Sequence, residues 1–246
     1  MSGHSKWSTI KRDKAKTDSQ RGAIFTKIGK EIAIAVKQGG PEPANNPRLA
    51  TVIAKARANN MPNDNIQRSI KKASGELSSV NYEEFVYEGY GPCGSAVMLD
   101  ILTDNKNRAA SDVRYIFDRA GGSLGGSGSV AYLFNRKAVV CIKAPAGKTE
   151  DDVVELGLEN NAEDVVNEGE DYYTIYADAT ELHNIRKAVE EAGYTIDTAE
   201  LQMVPTNTMD LDDAKYASFM KMLDNFENND DVQNVYHNVN LREESE

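Results

Sequence analysis

The chain is poor in the residues that staple a fold or ligate metals. Two cysteines, Cys93 and Cys141, and three histidines, His4, His183 and His237, are all that 246 residues contain. The cysteines stand far apart, one in a turn-like and one in a strand-like context, which excludes a disulfide framework and points to a reducing compartment. Neither has a partner at metal-ligand spacing, so no metal site is drawn and no cofactor is expected. No stretch approaches the ~20 apolar residues of a membrane helix, and the opening MSGHSKWSTIKRDKAK lacks the apolar centre of a secretory signal. A cytoplasmic protein with no membrane partner is expected. Enzyme signatures are missing too: there is no nucleophile elbow, zinc motif, GxxxxGK phosphate loop or dinucleotide fingerprint. No catalytic residue is assigned, and the expectation is a protein that is not an enzyme.

What is present is an ordinary globular composition, 40% apolar and 27% charged, in a length that suits two or three domains. The net charge of −11 conceals an asymmetry. Residues 1–76 hold fifteen Lys and Arg against six Asp and Glu, and the rest of the chain holds thirteen against thirty-three. An anionic polymer is attracted to the first third and repelled by the remainder, so an acidic isoelectric point near 4.9 does not exclude a nucleic-acid partner.

Residues 1–17 are polar and basic without apolar period and read as an extended arm anchored by Trp7 alone. From Asp18 or Ser19, the spacing of Ile24, Phe25, Ile28, Ile32 and Val36 predicts a helix that Gly39-Gly40 closes. Asn46-Pro47 supplies a cap and a first-turn proline for a second helix with Leu49, Val52, Ile53 and Ala56 inward. Pro62-Asn63-Asp64 begins a third, with Ile66 and Ile70 inward and Arg68, Lys71 and Lys72 elsewhere on its surface, ending at Gly75.

The pattern changes at Tyr82. Phe85 to Tyr87, the turn GYGPCG and the apolar run Ala96 to Leu102 predict a hairpin, followed by a helix in NRAASDVRYIFDRAGG and a strand from Val130 to Phe134. Residues 137–204 read as βαββαβ, the ferredoxin-like order: strand Ala138 to Lys143, helix from Thr149, strands Glu163 to Asn167 and Tyr172 to Ala177, helix Thr180 to Ala192, strand Thr198 to Val204. A helix from Leu211 to Phe226 and a strand from Val232 to Val239 then complete the sheet begun at Tyr82. The expected fold is α+β: a helical N-terminal domain followed by two α/β, ferredoxin-like domains, one inserted in the other. The boundaries are 1–78, 79–136 with 205–240, and 137–204. No heptad or long apolar surface helix calls for an obligate dimer, so a monomer is expected.

The chemistry lies in the basic segment. Lys6, Lys11, Arg12, Lys14, Lys16 and Arg21 form a run whose mobile cations suit phosphates, and the bias continues through Lys27, Lys30, Lys55, Arg57, Arg68, Lys71 and Lys72. A solvated tail has the same composition. Trp7 suits stacking on a base, although a lone Trp is more often an anchor to a core. In TDNKNR, Arg108 and Lys106 enter a helix N-terminus suited to phosphate, and Asn107 reads as its cap. GGSLGGSGS, from Gly121 to Ser129, follows a helix and precedes a strand, the reverse of a phosphate loop, and reads as a helix stop and flexible turn. The acids Glu150 to Asp152 read as a helix start and solvated face rather than a catalytic pair.

The blocks GHSKW, IK, RGAIFTKIGKEI, NPRL, KARANNMPNDNI, IKK, YEGYGPCG, LTDNKNR and GSVAYLF resemble the YebC/PmpR family across residues 2–135, and residues 137–240 resemble it in order and length. One departure is Cys93, where the family usually has glycine. The resemblance implies a three-domain protein, a helical domain and two α/β domains around a cleft. It also implies a DNA-binding transcriptional regulator by the family's usual label. Organellar relatives are translational activators of cytochrome c oxidase, and some bacterial members look like ribosome-associated factors that relieve stalls at proline runs. The partner is thus DNA or ribosomal RNA, with a protein-interaction module without nucleic acid as a third reading.

Overall fold

The computed structural model describes residues 18–75 and 81–242. It begins with α1 (Asp18–Gly39), α2 (Pro47–Ala58) and α3 (Asn63–Ser74). The apolar positions recur every three or four residues on each helix, so one stripe of each faces the others. Ile28, Ile32, Leu49, Ile53, Ile66 and Ile70 meet in a shared core. Asn46 fixes the joint between α1 and α2. Its side chain accepts from Leu49 N at 3.0 Å and donates to Ala35 O at 2.7 Å and Gly40 O at 2.9 Å, so one buried amide starts α2 and satisfies one carbonyl near the end of α1 and one just beyond it.

β1 (Glu83–Tyr90) and β2 (Ala96–Thr103) form the expected antiparallel hairpin, with Glu83 opposite Thr103 and Tyr90 opposite Ala96. The turn places Cys93 at φ +57°, in the left-handed region. α4 (Lys106–Arg119) follows and buries Ala109, Val113 and Phe117. Its cap is Asn105, whose side chain accepts from Arg108 N at 3.0 Å. The expected cap, Asn107, lies inside the helix, whose N-cap falls two residues earlier at Asn105.

The glycine-rich loop is more ordered than its composition suggests. Ser123–Leu124 form a short strand, β3, against Gly89 and Tyr90 of β1. Close approach explains the glycine: a Cβ on Gly89 would stand 2.7 Å from both the Phe117 ring and the Ser123 carbonyl. Val130 to Phe134 is not a strand of this sheet. Ala131–Leu133 make a turn of 3-10 helix, with Val130 fully buried and Tyr132 72% exposed. A short apolar run fits either structure, and only the tertiary setting chooses.

The next strand is β4 (Phe134–Lys143), then α5 (Glu150–Glu159), β5 (Ala162–Gly169), β6 (Tyr172–Asp178), α6 (Leu182–Glu191) and β7 (Thr195–Pro205). The order β5-β6-β4-β7, antiparallel throughout, is that of a ferredoxin-like sheet. Val140, Ile142, Ile175, Val153, Ile185 and Val189 join sheet and helices in one core. The acids at the start of α5 act as a cap: Thr149 Oγ1 accepts from Asp152 N, and the Asp152 carboxylate accepts from Thr149 N at 2.7 Å.

α7 (Asp213–Glu227) returns to the first sheet and buries Phe219, Met222, Leu223 and Phe226, the last edge-on to Phe117 at 4.9 Å between ring centres. β8 (Val232–His237) then lies beside β2, giving the order β3-β1-β2-β8. By contacts the described residues form two compact units, one containing 18–129 and 213–235, the other 130–212 and 236–242. The α+β fold with N-terminal helices and two antiparallel sheets is the expected one.

Candidate nucleic-acid interface

On α3 the inward residues Ile66, Ile70 and Ala73 leave the opposite face to solvent, and there Arg68, Lys71 and Lys72 fall at i, i+3 and i+4. That spacing puts three cations on one exposed surface. Arg57, in the last turn of α2, is exposed as well. None of these four makes an ion pair among the described residues. The only carboxylate of α3, Asp64, sits in its first turn, where the helix dipole favours it. Lys71 and Lys72 lie at the opposite end, in the last turn, where the dipole favours cations.

Lys27 and Arg108 are placed differently from expectation. Lys27 Nζ donates to the carbonyl of Glu227, at the end of α7, at 2.5 Å. Arg108 faces Asp231: its guanidinium donates to that carboxylate at 2.9 Å and to Asp104 at 2.8 Å. Lys30 Nζ reaches the same Asp231 carboxylate at 2.7 Å and the Asp230 carbonyl at 2.8 Å. Burial opposes ionisation of Asp231, whose side chain is 5% exposed, but hydrogen bonds from Lys30 and Arg108 more than offset it and hold the pKa below the usual carboxylate range. The same contacts, Asp231 first and then Asp104, raise the pKa of Arg108. These cations tie α1 and α4 to the turn before β8. Lys106, too, sits over the Phe85 ring at 5.0 Å instead of at an anion site. Composition shows Lys27 and Arg108 as basic but cannot show their acceptors, the Glu227 carbonyl and the Asp231 carboxylate, more than a hundred residues away.

Arg21 is exposed at the start of α1. Lys6, Trp7, Lys11, Arg12, Lys14 and Lys16 lie outside the described residues. Between α1, α2 and the hairpin runs a cleft of about 420 Å³ whose charges cancel locally, Lys55 on Glu31 at 2.7 Å and Arg48 on Glu84. With Asp100 also in its wall, it is a poor receptor for phosphate. Among the described residues, no group of three or more His, Cys, Asp or Glu is placed to hold a metal ion, and no helix is long and apolar enough to cross a membrane.

Two family models cover this architecture: the TACO1/YebC protein N-terminal domain matches residues 5–76, and the TACO1/YebC second and third domain matches residues 82–239. The chain belongs to the TACO1/YebC family. Its similarity to TACO1/YebC relatives runs nearly end to end. A protein of Clostridium botulinum is 51% identical over 99% of this chain and 98% of its own length, and one of Acetivibrio thermocellus is 52% identical over 97% and 98%. Both are named probable transcriptional regulatory proteins. A crystal structure of a conserved hypothetical protein from Aquifex aeolicus superposes with a TM-score of 0.81 at 42% identity, covering 94% of each chain. The TACO1/YebC relatives thus carry the name of regulators and not of enzymes. The likeness also extends past residue 135, where the sequence blocks alone became sparse.

Proposed function

We propose that this protein is a regulator of gene expression that binds nucleic acid through its N-terminal third. The observation that carries the reading is the exposed face of Arg68, Lys71 and Lys72 with Arg57 beside the next helix, four cations without an ion pair among the described residues. Arg21 and the run Lys6, Lys11, Arg12, Lys14 and Lys16, with Trp7, extend this set in sequence. Lys27 and Arg108 serve as braces. The relatives' name supports transcription and hence DNA as the target. In the free state the protein is a cytoplasmic monomer, a setting that suits free thiols at exposed Cys93 and buried Cys141.

One observation favours structured RNA, such as ribosomal RNA, as a second target. Base-reading helices usually present their N-terminal residues to the groove. Here the cations of α3 include two in its last turn, and its first turn carries Asp64. Such a face grips phosphates without reading sequence.

The deciding experiment is crosslinking of the protein in cells, followed by sequencing of the attached nucleic acid after separate DNase and RNase treatment. Promoter DNA with a recurring motif establishes the transcriptional reading; ribosomal RNA enriched at one locus establishes the translational one. In vitro, Arg68→Ala/Lys71→Ala/Lys72→Ala should weaken duplex binding and flatten the log–log salt slope by about 2–3, at ~0.9 per lost contact. An unchanged slope moves the contact elsewhere.

A further inference from the structure

α4 and α7 lie side by side over the Phe117–Phe226 contact, and on their solvent side an open groove of about 460 Å³ runs between them. Its lining stands out in an acidic part of the chain. Residues 77–246 carry thirty-three carboxylates against thirteen cations, yet no Asp or Glu lines this groove. Asp118 and Asp224 neighbour the lining in sequence and do not contribute to it. The cleft beside α2, by contrast, is walled by three carboxylates, Glu31, Glu84 and Asp100.

The groove offers three kinds of group. Tyr115 presents its ring to solvent at 64% exposure, with the Arg119 guanidinium 6.0 Å from the ring centre one helical turn on. Lys221 and Asn225 are likewise one turn apart on α7 and share its groove-facing side, with Asn228 and Asn229 just beyond the helix. Arg119 and Lys221 make no ion pair, and the Asn225 and Asn228 side-chain amides make no hydrogen bond, among the described residues. Asn229 Oδ1 accepts from Asp231 N at 2.8 Å, which orients its amide and leaves the amino group as a donor. Ile116 and Met222 supply an apolar floor.

A flat ring, side-chain amides that donate and accept together, and cations without a competing carboxylate match the parts of a nucleotide: base face, base edge and phosphate. The geometry points to the α4–α7 groove as a binding site for one nucleotide of a single-stranded nucleic acid, stacked on Tyr115, read by the asparagine amides and held by Arg119 and Lys221. The inference rests on the reading that this protein binds nucleic acid, but it assigns a surface on helices other than α2 and α3.

The test is fluorescence anisotropy of full-length protein with fluorescein-labelled ten-nucleotide oligomers, U in one arm and dT in the other. Tyr115→Ala should weaken binding roughly tenfold, the loss of one stacked base, Tyr115→Phe should retain it, and Lys221→Ala should weaken it and lower the salt slope. Circular dichroism checks that the variants fold. Preference for either sugar identifies the source of the strand and supports the site equally. Binding by Tyr115→Ala within twofold of wild type, or no binding of either oligomer by wild type, overturns the site. The Arg68/Lys71/Lys72 alanine variant separates the two surfaces. If it alone loses binding, the groove fails and the α3 reading stands; if only Tyr115→Ala and Lys221→Ala lose it, the groove stands and the α3 face fails.

Discussion

Cys93 shows how one side chain can work against its own backbone. At φ +57° a side chain with a Cβ crowds the following carbonyl, at a cost of roughly 1 kcal/mol, and glycine does not. Cys93→Gly should therefore raise stability by no more than about 0.5 kcal/mol in urea unfolding, net of the extra freedom glycine gains in the unfolded chain. A destabilised variant would show that the turn depends on the thiol. Asp231 is the opposite case, a carboxylate that the fold requires. Removing it leaves Lys30, 11% exposed, and Arg108 without their shared partner, so Asp231→Ala should cost about 3 kcal/mol at pH 7. The sign with pH follows from its lowered pKa. The stabilisation is complete above the unfolded carboxylate value of about 4 and is lost as pH falls through the lower folded value. The gap between wild type and variant should narrow as pH falls through that window; a gap independent of pH would place the effect elsewhere.

At the scale of elements, stability concentrates where a cap serves two helices. Asn46→Ala removes the acceptor for Leu49 N and the donors to Ala35 O and Gly40 O, stranding buried backbone groups at both ends of the joint. The expected loss is about 2 kcal/mol, read as lower protection of α1 and α2 amides in hydrogen exchange. Unchanged protection would mean that water replaces the amide. Helix periods and proline or glycine punctuation made α1, α2, α3, α5 and α6 legible, because those signals are local. β3 was not legible: two residues cannot show a period, and their pairing with β1 depends on Gly89 letting Phe117 and Ser123 approach. The cap of α4 was missed by two residues because Asn105 and Asn107 are both suitable and only the true end of β2 selects one.

For the molecule as a whole, the order of strands predicts which pieces fold alone. The sheet β5-β6-β4-β7 is assembled from residues continuous in sequence, whereas the first sheet needs β8 and its packing needs Phe226 of α7. A fragment of residues 130–212 should unfold cooperatively in isolation, and a fragment ending at residue 129 should not; cooperative unfolding of the shorter piece would show that the hairpin and the helices suffice. The basic bias of the N-terminal third, the helix faces and the βαββαβ order were readable from the chain itself, because each is a property of neighbouring residues. The exposed face of Arg68, Lys71 and Lys72 was readable too, since it follows from the inward period of Ile66 and Ile70. Which cations are tied up was not: Lys27, Lys30 and Arg108 meet the 227–231 turn only because β8 returns beside β2. Local sequence determines what charge each segment carries, and tertiary pairing across one to two hundred residues decides which of those charges are neutralised, since a short ion pair requires two distant segments to meet.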